Sequence, residues 1–210
     1  MSIGQIVVLI VALLITFGVC QRVLDRLRLT DRQALLFAFL LFAGGFLPDI
    51  PIGNVRINIG GAVVPVVICA YLFIRADHAY ERIRAVSGTL VTAAFVIALG
   101  RFFPDEPETM PFDVNYLYGL MAGVIACLVG RSRRNAFISG SMGVLLSDIA
   151  EGVSVWMNGT GQTLRLGGAG AMDVIVLSGI TAVLVREIAG EFMERCVRGA
   201  KKSGERGQKA

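Results

Sequence analysis

Two aspartates lie where apolar sequence has little use for charge. Asp148 falls late in the run that begins at Ala136, and Asp173 falls six residues into the next, which opens at Gly167. Glu151 follows Asp148 by three residues, which on a helix places it on the same face. At 1.5 Å per residue Asp148 lies ~18 Å along its segment. If the two runs are consecutive antiparallel helices in a ~30 Å apolar layer, Asp148 and Asp173 lie ~12 Å and ~9 Å below the same edge. Carboxylates at that depth face a cavity or a partner. Two of them close together do not both ionise readily and can hold one shared proton. In such a pair one carboxylate activates water while the other protonates a carbonyl oxygen, which is the chemistry of an aspartyl protease.

Other chemistry is open to the same residues. Gly167, Gly168 and Gly170 open the second run, and unwound glycine backbone offers carbonyl ligands to a proton-linked or cation-linked carrier. Glu151, Asn58 and these three glycines are therefore candidate substrate-binding residues beside the candidate catalytic pair. The plainer reading makes Asp173 a cap for a helix starting at Val174. Asp148 and Glu151 then pair with Arg165 or Arg101, and the glycines serve close helix packing. Toward the far end only Ser178, Thr181 and Ser139 suggest a polar path.

These residues need elements to carry them, and the composition defines the kind. Of 210 residues 55% are hydrophobic and 17% charged, with mean hydropathy +0.69. A soluble domain carries more charge than this. Seven apolar segments qualify as spanning helices or come close: 3–20, 34–48, 57–74, 85–103, 114–130, 136–157 and 167–185. The predicted fold is all-α, a polytopic transmembrane bundle of about seven helices over residues 1–190. A basic tail at 191–210 is expected to be disordered. No Lys or Arg precedes the first segment, so it reads as a retained helix and not as a signal peptide. With the N-terminus outside and the C-terminus inside, every Lys and Arg except Arg56, Arg101 and Arg165 falls on the inner side. Tyr116, Tyr118 and Trp156 fall near outer helix ends, where interfacial aromatics belong.

Cys20, Cys69, Cys127 and Cys196 show no CxxC spacing, and His78 is the lone histidine. No metal site is expected, and no nucleotide, haem or flavin motif is present, so no cofactor is predicted. The net charge of +4 follows from cations at helix ends and is not a nucleic-acid signal. The expected partner is the lipid bilayer, with a membrane-protein or peptide partner and oligomer formation left open.

Two stretches resemble each other. "LPDI" at 47–50 precedes "INIGGAVVPVVICAYLFIR", and "LSDI" at 146–149 precedes "LRLGGAGAMDVIVLSGITAVLVR". Both place an outer loop between two helices and run in the same direction, as a parallel internal repeat would. Adding 107 carries Gly60 and Gly61 onto Gly167 and Gly168, and Asn58 onto Arg165. Asp173 then falls on Val66, so the unit folds without that carboxylate.

The stretches "INIGGAVVPVVICAYLFIRA", "NAFISGSMGVLLSDI" and "LRLGGAGAMDVIVLSGITAVLV" resemble the domain-of-unknown-function family DUF1614. Its pattern is matched by Asn58, Gly60 and Gly61, by Asp148, and by Gly167, Gly168, Ala169, Gly170 and Asp173. That resemblance implies a multi-pass protein of a prokaryotic plasma membrane and carries no activity with it. Asp148 and Asp173 also partly resemble presenilin-type intramembrane aspartyl proteases. There the second aspartate follows Gly-x-Gly, whereas here it follows Gly170-Ala171-Met172. Three roles remain: architecture or assembly, which ranks first, then proton-linked or cation-linked transport of a small solute, then aspartyl proteolysis.

Overall fold

The computed structural model describes residues 3–17, 25, 27, 29–76, 78–102, 114–159, 163–167 and 171–207. Among them are seven α-helices: α1 (Ile3–Thr16), α2 (Asp31–Gly44), α3 (Val64–Ile74), α4 (Ala79–Phe102), α5 (Val114–Val129), α6 (Arg133–Met157) and α7 (Ala171–Gly207). Each corresponds to one apolar segment of the sequence. Helices α4 and α6 are long and apolar enough to cross a membrane. Helix α7 starts four residues after Gly167, so its first turn holds Asp173. It continues as helix to Gly207, through most of the stretch expected to form a separate tail.

Three strands were not expected. Ile50–Ile52 (β1), Val55–Ile57 (β2) and Leu164–Leu166 (β3) form a sheet in the order β1-β2-β3. β1 and β2 are an antiparallel hairpin turning at Gly53 with φ 59°. β2 and β3 pair in parallel, with Arg56 opposite Arg165. That register differs by two residues from the repeat seen in the sequence. The sequence match aligns the glycines, whereas the ladder aligns two aliphatic–Arg–aliphatic triads. Arg165 is therefore the partner of Arg56 and not of Asn58. One residue further, the Asn58 amide donates to Leu166 O at 2.9 Å, and Gly167 comes beside Asn58.

Local chemistry sets the helix starts. Thr30 caps α2, with its amide donating to Gln33 Oε1 at 3.1 Å and the Gln33 amide returning to Thr30 Oγ1 at 3.4 Å. Ser132 caps α6 by accepting from the Asn135 amide at 3.2 Å. A π-helical turn, Ile59–Val63, leads into α3, and Pro65 in its first turn needs no amide partner.

Helix α6 is the axis of the bundle, packed against α3, α4, α5 and α7. The contacts are close because glycines sit in them. A Cβ at Gly143 would lie 2.6 Å from Thr92 Cβ, and one at Gly123 would lie 2.7 Å from Thr181 Cβ. Ala122, Ala126, Ala136 and Ala182 have no exposed surface. Small residues let these helices approach and gain dispersion contacts. A second apolar core joins α1, α2 and α3 through Ile15, Leu41, Ile68 and Leu72. Cys69 and Cys127 are buried, free thiols.

The end of the bundle opposite the sheet is held by arginines. Arg134 donates to Arg75 O at 2.7 Å and to Glu81 at 3.3 Å, joining the end of α3 to the start of α4 and α6. Arg133 pairs with Glu187, and Arg186 donates to Arg131 O at 2.8 Å. Cations on C-terminal carbonyls satisfy groups that the helix itself leaves open.

Candidate functional site

The sheet end differs from the arginine end in leaving a polar group unmatched. Asp148 lies on α6 about two turns before its end, and Glu151, Gly152, Val155 and Trp156 follow at helical spacing. With Thr163, Leu164 and Arg165 of the β3 segment they line a cavity of about 260 Å³. Gly152 explains how β3 approaches, since a Cβ there would meet the side chain of Leu164. Glu151 reaches the end of α4, with Oε1 3.7 Å from where a Gly100 Cβ would stand.

Asp148 Oδ2 is buried and accepts no hydrogen bond. Among the described residues it forms no ion pair with Arg165 or Arg101. A carboxylate oxygen so placed needs a proton of its own or a donor brought in from outside. The pairing with arginine expected from an architectural role is not made at Asp148.

Asn58 does not line this cavity. It is buried in the other loop and is fully used there. Its Oδ1 accepts from the Gly61 amide at 2.9 Å, and its Nδ2 donates to Asp49 Oδ1 at 3.0 Å. It caps the π-helical turn. Gly167 has φ 68°, which favours glycine. Its Cα lies 2.8 Å from where a Cβ of Gly61 would stand, so backbone meets backbone. Gly60 packs in the same way on Gly44 and Gly45.

Gly168 and Gly170 lie outside the described residues, as does the side chain of Asp173. The expected approach of Asp173 to Asp148 therefore lies outside them too. The described carboxylate beside Asp148 is Glu151.

Below the cavity, toward the arginine end, α4, α6 and α7 enclose hydroxyls that the sequence did not single out. Thr92, Ser141 and Ser147 are buried together with Ser139 and Ser178. Thr92 Oγ1, Ser141 Oγ and Ser178 Oγ make no hydrogen bond. Ser141 is two turns before Asp148 and shares its face. Glycines press on these hydroxyls: Gly140 on Ser178, Gly143 on Thr92 and Gly179 on Ser141. The seam is polar and tightly closed in this arrangement. Spacing alone shows the cavity face, because Asp148, Glu151, Gly152, Val155 and Trp156 form one helical stripe. The seam is not visible that way, since its members sit on three helices.

Fold and site together define a helical protein with an apolar bundle, two helices able to cross a membrane and one polar cavity at the sheet end. The chain belongs to the family described as "Protein of unknown function (DUF1614)", whose pattern matches residues 34–185. No curated protein and no solved structure matches it significantly.

Proposed function

We propose that the protein is a polytopic membrane protein of seven spans, N-terminus outside, that carries a small solute linked to a proton or cation through the Asp148 cavity. Prokaryotic plasma membrane is its proposed location, with the tail on the cytoplasmic side. Exposed apolar side chains such as Ile83 at 67% and Leu128 at 72% support a lipid-facing surface. The Arg75, Arg131, Arg133, Arg134 and Arg186 cluster supports a cytoplasmic face at the arginine end. Two similar helix–loop–helix units of like direction support an internal parallel repeat.

The observation that carries the functional reading is Asp148 Oδ2, buried without a donor at the wall of a polar cavity. A purely architectural carboxylate is satisfied by the fold. This one is not, which puts transport ahead of the assembly role that the sequence alone ranked first. The hydroxyl seam supports a route onward from the cavity. Helices α6 and α7 must part along their glycine contacts to open it, as alternating access requires. Aspartyl proteolysis needs a second carboxylate facing Asp148; Glu151 lies on the same helix face, and the side chain of Asp173 lies outside the described residues.

The test is proton uptake by vesicles containing the purified protein and an internal pH dye. Amino acids, amines, carboxylic acids and sugars are supplied together outside. Wild type should acidify the lumen faster than empty vesicles, and Asp148→Asn should fall to their rate. Equal rates for wild type and Asp148→Asn would overturn the reading.

A further inference from the structure

We infer that the cavity binds a small zwitterion, its ammonium group at Asp148 and its acidic group at Arg165. This rests on reading Asp148 as a binding carboxylate, as above. The two loops of the bundle say what is missing. In the first, Asp49 Oδ1 accepts from the amide nitrogen of Asn58 at 3.0 Å. In the second, Asp148 Oδ2 is buried with no donor, and Gly167, which the sheet sets beside Asn58, does not line the cavity. Asp148 Oδ2 thus lacks a donor of the kind that Asp49 has. The absent group is a hydrogen-bond donor, and the nitrogen of a ligand can supply it.

The rest of the lining narrows the ligand. Glu151 lies one turn beyond Asp148, so the nitrogen meets two carboxylates and is best matched by an ammonium with its three donors. Arg165 enters from β3, and its planar fork suits a carboxylate. Val155, Leu164 and the Trp156 ring complete the wall, and an indole face attracts a cation. A volume of about 260 Å³ lies below the range usual for drug-sized ligands, which fits a molecule of amino-acid size.

Trp156 is the only tryptophan and reports on the cavity by its fluorescence. Full-length protein in lipid nanodiscs is titrated with glycine, ethylammonium and acetate. Glycine should give a saturable change in emission, ethylammonium a weaker one, and acetate none. Arg165→Gln should weaken glycine to the level of ethylammonium while leaving ethylammonium unchanged. Asp148→Asn should weaken both about tenfold or more, the loss of one charge-assisted hydrogen bond. No saturable change in wild type, acetate equal to glycine, or unaltered affinity in Asp148→Asn each overturns the inference. The ligand series needs no variant, so a folding defect does not blur it. Asp148-dependent proton uptake without glycine binding removes the zwitterion and keeps the carrier. Asp148-dependent glycine binding without Asp148-dependent uptake removes the carrier and keeps the site.

Discussion

The loop between α2 and α3 and the loop between α6 and α7 begin alike and end differently. Both follow an Asp-Ile pair, at 49–50 beyond the end of α2 and at 148–149 within α6, both contribute to one sheet, and both re-enter the bundle at glycines that touch. In the first, the buried polar groups are matched to one another: Asp49 to Asn58, Asn58 to the Gly61 amide, and the Asn58 amide to Leu166 O. In the second, Asp148 Oδ2 is buried and unmatched, and a cavity opens beside it. The first loop is therefore a lock and the second a receptacle.

That contrast can be broken from the lock side first. Gly61→Ala sets a Cβ against the Gly167 carbonyl, and backbone on both sides leaves little room to yield. A loss of about 3 kcal/mol is expected, read as a lower unfolding midpoint in detergent. A midpoint like wild type would mean that the two loops do not meet as described. Asn58→Ala comes next. It removes the cap on Gly61 and strips Asp49 of its donor, for about 2 kcal/mol by the same measurement. No loss there would make the first loop as loose as the second and dissolve the comparison.

The helices were legible in the sequence because a run of apolar residues is a long-range signal. All seven segments recur as helices, and Arg75, Arg131, Arg133, Arg134 and Arg186 gather at one end. The sheet was not legible, since three-residue strands such as Val55–Ile57 carry no periodicity. The loop register was misread for a physical reason: glycines look alike in sequence, but hydrogen bonds align the Arg56 and Arg165 triads. Asp148 and Glu151 were visible as charge in an apolar run. Thr163 and Leu164 were not, because their role depends on how closely β3 passes Gly152. Asn58 was visible as a polar residue before glycines, but only its partners Asp49 and Gly61 reveal that it caps.

The smallest expected effect is the most informative one. Asp148→Ala and Asp49→Ala are compared by unfolding in the same detergent. Asp49→Ala strands the Asn58 amide and should cost about 1 kcal/mol. Asp148→Ala removes a carboxylate the fold does not use and should leave stability within about 0.5 kcal/mol of wild type, or raise it. Equal losses for the two variants would contradict the account, because Asp148 would then be architecture like Asp49.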